Sequence, residues 1–347
     1  MKKSRVAVAV SAATLALSLA ACSSTSPSAS GSSSSAHFKG SGKSASELKF
    51  ATVVKSMGFN WFTRMEVGVK KFAAESGVNA FEQGPSQADP AQENQSAQDV
   101  LSQGIDALII DPIDTTQVES VTRQAVSQGV AVVTLEDPNA KYATYDVEAF
   151  DNKSYGQHMM DELAKSMHDK GQYGIFVGAL NSESQIAWTQ AAVAYQKQKY
   201  PNMQWVGGDN VTNSSQQTSY TEMKQLMQKY PKLGGMLGAD AYDIVGAGQA
   251  VQEAGLDGKV AVIGTSLVSY AGNLLKSGAI TDISTWDPAL HGEVGNKVAL
   301  MVLQGKKITT GTNLGVPGYT KVTVVGNTIY GSGWIDITTS NMSDYDF

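Results

Sequence analysis

Cysteine occurs once in the 347 residues, at Cys22. The chain therefore has no intrachain disulfide, no thiolate zinc site and no cysteine chemistry beyond that position. Arginine is nearly as scarce, with Arg5, Arg64 and Arg123 alone, which limits the bidentate clamps that recognise carboxylates and phosphates. His37, His158, His168 and His291 are scattered without metal-ligand spacing, so no metal site is expected, although His291 lies near Trp286 and Asp287. Gly246-Ala247-Gly248 lacks the third glycine of a dinucleotide fingerprint and sits inside a helical pattern, so it reads as packing and no cofactor is implied. Basic residues number 26 against 32 acidic ones, a balance that disfavours nucleic acid and anionic lipid as partners. An uncharged, hydroxyl-rich ligand is the class these absences leave.

The N-terminus reads as an address. Lys2, Lys3 and Arg5 precede an apolar run over 6–17 that is too short to span a bilayer alone, and Leu19-Ala20-Ala21-Cys22 follows. These residues resemble the signal and lipobox of bacterial lipoproteins. That resemblance implies a signal peptide over 1–21, cleavage before Cys22, lipidation of Cys22 and a cell-membrane, extracytoplasmic location. Removing Lys2, Lys3 and Arg5 from 26 basic residues leaves 23 against 32 acidic, a net charge of −9. Residues 22–46 are rich in Ser, Gly and Ala and have too little apolar surface to offset their ordering entropy, so they read as a flexible tether.

From residue 48 short apolar runs alternate with amphipathic stretches. Strands are predicted at 48–54, 79–82, 105–110 and 130–135, with helices at 59–76, 89–103 and 116–128 between them. After Glu136-Asp137-Pro138 the rhythm breaks, and it restarts with a helix at 152–169 and strands near 173–177, 204–207, 236–239 and 260–264. A helix near 270–277, a strand at 280–285, a helix at 291–303 and a Gly- and Thr-rich tail complete the chain. The pattern predicts an α/β protein of two doubly wound parallel-sheet lobes joined by a hinge, with a ligand cleft between them. The expected division is 48–137 with 267–305 in the N-terminal lobe and 138–266 with 306–347 in the C-terminal lobe.

Ligands of open α/β sheets bind beyond the carboxyl ends of the strands, so polar and aromatic residues there are the candidates. Phe59, Trp61, Phe62, Trp188 and Trp286 can stack on the apolar face of a sugar, although each could equally pack its own helix. Lys55, one residue past the first strand, can donate to ligand oxygens or lie on the surface. Asp111, Asp114, Glu136, Asp137, Asp240 and Asp287 all follow strand runs, where carboxylates cap helices, accept from hydroxyls or act as a hydrolytic pair. Asp114 and Asp137 read as caps or hinge residues, and Asp240 reads as a ligand contact.

The motifs Lys55 with Phe59, Trp61 and Phe62, the run 104–110, 129–134 leading to Glu136-Asp137, Gln185 with Trp188, Asp240-Ala241, Trp286-Asp287 and 345–347 resemble the periplasmic sugar-binding proteins of ABC importers, in the branch that includes autoinducer-2 and rhamnose binders. The resemblance implies a periplasmic-binding-protein type I fold, no catalytic residue, a permease as partner and a monomeric receptor. It places Lys55, Glu136, Ser184, Gln185, Ala239 and Ala241 along the autoinducer-2 site. Here Glu136 and Ser184 stand where aspartates are expected, and Ala239 where a proline is expected. A pentose, deoxyhexose or polyol therefore fits as well as an autoinducer-2-like furanose. A sensory receptor that signals to a kinase or chemoreceptor and a surface glycosidase are the alternatives.

Overall fold

The computed structural model describes residues 42–347. The expected signal peptide, Cys22 and nearly all of the tether lie outside these residues. The tether's expected end does not stay irregular, because Ala45–Glu47 form a single 3-10 turn closed by a capping box between Ser44 and Glu47.

The first sheet is built from β1 (Lys49–Val53), β2 (Asn79–Gln83), β3 (Ala107–Ile110), β4 (Ala131–Leu135) and β5 (Tyr145–Glu148). It is crossed by α1 (Asn60–Ser76), α2 (Pro90–Ser102) and α3 (Thr115–Ser127). Continuous apolar runs such as the Ala-Leu-Ile-Ile of β3 are buried on both faces. Phe50, Ile109 and Val133 face one core, and Ala51, Leu108 and Val132 face the other, under α2 and α3. Asp89 caps α2 by accepting from Gln92 N at 2.8 Å, and Pro90 occupies the first turn, as the sequence suggests.

The chain then passes through 149–151 into α4 (Asn152–Ser166), β6 (Gly171–Val177), α5 (Glu183–Lys199), β7 (Met203–Val211), α6 (Gln216–Lys229), β8 (Leu233–Gly238), α7 (Asp243–Glu253), β9 (Ala261–Gly264), α8 (Val268–Ser277) and β10 (Asp282–Thr285). It returns to the first lobe through Trp286 and Asp287 as α9 (Pro288–Leu303), which packs on α1, β3 and β4. Then β11 (Thr323–Val325) and β12 (Thr328–Tyr330) join the first sheet, and 331–334 lead to β13 (Ile335–Ile337) in the second. The sheet orders are β11-β12-β5-β4-β3-β1-β2 and β13-β10-β9-β8-β6-β7, parallel except for the edge strands β11 and β13.

These memberships differ from the expected lobe boundaries. Residues 138–148 stay with the first sheet through β5, and 267–285 belong to the second lobe because β10 pairs with β9. Most of 306–347 covers the first lobe, since Thr328 pairs with Asp146. The chain thus crosses between lobes three times, and each crossing carries an aromatic ring: Phe150, Trp286 and Trp334. Phe150 touches the other two at centroid distances of 5.2 and 5.9 Å, which packs the three strands of the hinge into one apolar knot.

Candidate functional site

Both sheet orders reverse direction at the strand next to one edge. In the first sheet β1 lies between β2 and β3, and in the second β6 lies between β7 and β8. Such switch points open a crevice at the strands' carboxyl ends. Lys55 follows β1 and Asp111 follows β3, while Gln185 opens α5 after β6 and Asp240 follows β8. The two crevices face each other and enclose about 730 Å³, including the open mouth.

The first-lobe wall is centred on Lys55. Its Nζ lies 2.8 Å from Asp111 Oδ1 and 3.3 Å from Glu136 Oε2. Burial disfavours the ammonium charge, but the two carboxylates more than offset it and hold the lysine above its ordinary value. Burial pushes Asp111 up to about 7 despite Lys55. Glu136 holds its side chain at the cavity from a left-handed backbone, φ 57°, a conformation that costs a non-glycine residue about 1–2 kcal/mol. Behind this wall His291 is fully buried; its Nε2 lies 2.9 Å from Val147 O, leaving Nδ1 3.8 Å from Glu136 Oε1. His291 supports the wall and does not line the cavity.

The second-lobe wall is centred on Asp240. Its Oδ2 accepts from Ser214 Oγ at 2.7 Å and from Gln185 Nε2 at 3.3 Å, and its Oδ1 accepts from Tyr242 N at 3.0 Å. Gly178 makes room for this arrangement, because a Cβ there would stand 2.7 Å from Asp240 Oδ2. Gln185 Oε1 in turn accepts from Gly178 N at 2.8 Å, which fixes the direction of its amide. Behind Asp240, the buried Asp243 takes the N–H groups of Ala239 and Asp240 at 3.1 and 2.9 Å.

Aromatic rings close the remaining sides. Trp61 meets Trp286 edge-on at 4.8 Å, and Trp188 meets Trp286 at 5.6 Å. Phe59 from the first lobe meets Tyr242 from the second at 5.1 Å, and Tyr270 Oη accepts from Trp61 N at 3.2 Å. Further bonds join the rims: Asn181 Nδ2 donates to Asp114 Oδ2 at 2.7 Å and Asn139 Nδ2 to Glu183 Oε2 at 2.8 Å. The lobes are therefore closed on each other. Trp286 Nε1 is a buried donor without a hydrogen-bond partner among the described residues.

Of the sequence candidates, Lys55, Phe59, Trp61, Phe62, Asp111, Glu136, Gln185, Trp188, Asp240, Ala241 and Trp286 line the cavity. Asp137, Ser184 and Asp287 do not. Asp137 is turned into the first lobe, where Oδ1 accepts from Thr115 Oγ1 at 2.8 Å and its own N–H reaches Asp146. Ser184 sits under the floor, donating to Glu136 O at 2.9 Å across the lobe interface. Asp287 caps α9 and binds Arg64 bidentately at 2.8 and 2.7 Å, so it works at the hinge. Asp114 caps α3, as its position suggests. The cavity also takes in Tyr242, Tyr270, Ser214 and Thr265. Ser214 and Thr265 follow strands and were open to the same positional rule, whereas Tyr270 lies in a helix and carried no signal.

Among the described residues no cluster of His, Cys, Asp and Glu could hold a metal, and no helix is long and apolar enough to cross a membrane. A family profile described as "periplasmic binding protein domain" matches residues 50–307. The D-ribose/D-allose-binding protein of Pseudomonas aeruginosa is 25% identical over 271 residues, covering 74% of this chain and 83% of that protein. LsrB from Clostridium saccharobutylicum, solved in complex with AI-2, superposes with a TM-score of 0.79 at 20% identity, over 86% of this chain and all of that one. An ABC transporter solute-binding protein from Clostridium phytofermentas with bound L-rhamnose gives 0.78 at 20% identity, over 87% and 98%. With two switch-point crevices closed over one cavity and a profile match across most of its length, the chain belongs to the periplasmic binding protein family, in the type I fold of sugar ABC transporter solute-binding proteins.

Proposed function

We propose that this protein is the solute receptor of an ABC importer, anchored outside the cytoplasm by a lipid on Cys22 and acting as a monomer that hands a sugar-like ligand to its permease. The observation that carries the reading is the cavity itself. Rings of Trp61, Trp188 and Trp286 offer flat apolar surface, while Lys55, Glu136, Gln185 and Asp240 stand at its polar rim, two from each lobe. Stacking on a C–H face with hydroxyls paired at the edge is how such a mixture holds a pentose, deoxyhexose, polyol or autoinducer-2-like furanose. Closure supports capture, because contacts from both lobes are complete only when the hinge is shut and the cleft is dry.

A hydrolytic role has less support. Glu136 and Asp111 are both turned to Lys55, and Asp240 already accepts three hydrogen bonds, so the cavity does not set two unengaged carboxyls across a bond to be cleaved.

The test is calorimetric titration of residues 42–347 with pentoses, hexoses, deoxyhexoses, polyols and autoinducer-2. A binder with a micromolar constant, about −8 kcal/mol, is expected. Lys55→Met should abolish that binding and also lower the melting temperature, because the buried Asp111 loses its counterion. A folded protein that binds none of these compounds would refute the assignment.

A further inference from the structure

We infer that the cleft is a charge filter: it admits polyhydroxy ligands that are neutral or carry a protonated amine, and it rejects their carboxylate and phosphate counterparts. This rests on the reading of the cleft as a sugar site and adds the sign of charge the ligand is allowed.

An anion entering the cleft would need a free cation or a cluster of free N–H groups, whereas the cation is already shared and Trp286 Nε1 is a single neutral donor. Among the described residues Lys55 is the only cationic side chain lining the cavity, and its Nζ is shared between Asp111 at 2.8 Å and Glu136 at 3.3 Å. One positive charge is therefore outnumbered at its own site. The nearest guanidinium, Arg64, is bound by both oxygens of Asp287 and does not reach the cavity.

Helix N-termini are the other common holder of anions. The N–H groups at the approach to α7 are occupied by the chain's own carboxylates: Ala239 N and Asp240 N donate to Asp243, and Tyr242 N donates to Asp240. The starts of α2, α3 and α9, which also lead away from the cleft, are each capped by an aspartate. At two ends beside the cavity that lack a side-chain cap, Trp61 N of α1 is taken by Tyr270 Oη and the first turn of α5 carries Glu183, whose carboxylate opposes a second negative charge.

A cation meets the opposite conditions. Asp240 is fixed by donors on both oxygens, yet Oδ1 receives only one, from Tyr242 N, and retains capacity for another. Phe59, Tyr242 and Trp286 line the same cavity, and aromatic faces attract an ammonium group.

Calorimetry on the full chain with matched triads decides the matter: D-galactose, D-galacturonate and D-galactosamine, and the same series from D-glucose, with D-ribose against ribose 5-phosphate. The pH is set where the amines are protonated, at low and at high ionic strength. For each series in which the neutral sugar binds, the acid or phosphate should bind at least about tenfold more weakly, and the amine at least as tightly, with salt narrowing the gap. Asp240→Asn should lower the ratio of amine to neutral affinity; if that variant does not fold, the salt series on the unaltered protein carries the same comparison. An acid that binds as well as its neutral partner, or an amine rejected as strongly as the acid, overturns the filter while the sugar reading stands. Failure of every member of every series overturns the sugar reading and the filter with it.

Discussion

Replacing Glu93 by glutamine should stabilise this protein at pH 7.5 and leave it unchanged at pH 4.5. Glu93 lies on α2 with no exposed surface, where Oε2 accepts from Ile113 N at 2.9 Å and Oε1 has no hydrogen-bond partner among the described residues. Burial lifts its carboxyl from 4.5 to about 8, with the nearby Asp111 adding to the rise. The sign follows from proton counting. Between 4.5 and 8 the folded chain keeps a proton that the unfolded chain releases, so stability falls as pH rises through that window by about 1.4 kcal/mol per pH unit. At pH 7.5 this amounts to about 4 kcal/mol as an upper bound. Glutamine preserves the bond to Ile113, fills the same volume and has no proton to lose. With an unfolding entropy of about 2.1 cal/mol/K per residue over about 300 residues, the gain is roughly 6 °C in melting temperature at pH 7.5, fading to nothing near pH 4.5. Circular-dichroism melts of both proteins at the two pH values measure it. An equal gain at both would mean that titration is not the cause. A loss at pH 7.5 would mean that Glu93 is ionised and serves Lys55, and the reasoning would fail.

Two further outcomes follow from single contacts, one inside the first lobe and one between the lobes. Gly68→Ala should cost about 3 kcal/mol and lower the melting temperature by about 5 °C, since its Cβ would stand 1.7 Å from Ala289 O where α1 crosses α9; an unchanged melt would refute that packing. Asn181→Ala removes the bond to Asp114 across the cleft mouth, worth about 1 kcal/mol, so ligand should leave about fivefold faster and the ligand-free protein should expand in solution scattering. Unaltered dissociation and scattering would show that this bond does not hold the lobes together.

The helices and central strands were legible because their signals are local. Asp89-Pro90 starts α2, Gly77 ends α1 in a left-handed turn, and the apolar run of β3 admits one reading. The lobe boundaries were not legible. They depend on three-residue strands in the tail, and β12 is a strand only because Asp146 to Glu148 lie beside it. The site divided along similar lines. Strand ends located Lys55 and Asp240, but neighbours in sequence parted in space: Gln185 faces the cavity and Ser184 the lobe interface, Trp286 faces the cavity and Asp287 the hinge. Which of two adjacent residues turns inward is decided by the first helical turn and by a partner such as Arg64, more than two hundred positions away.

The three crossings also set an order of assembly. The first lobe begins at Lys49, yet its core includes Leu314, Tyr319 and Ile329, and its β5 edge is covered only when β12 arrives. A growing chain that has emitted the whole first sheet up to Glu148 still holds an unfinished domain, and the second lobe is threaded through before the first can close. Pairings of such long sequence separation form slowly and late. The edge and core of the first lobe are therefore completed only when the chain's last thirty residues are available, after the whole α-helical part of the second lobe.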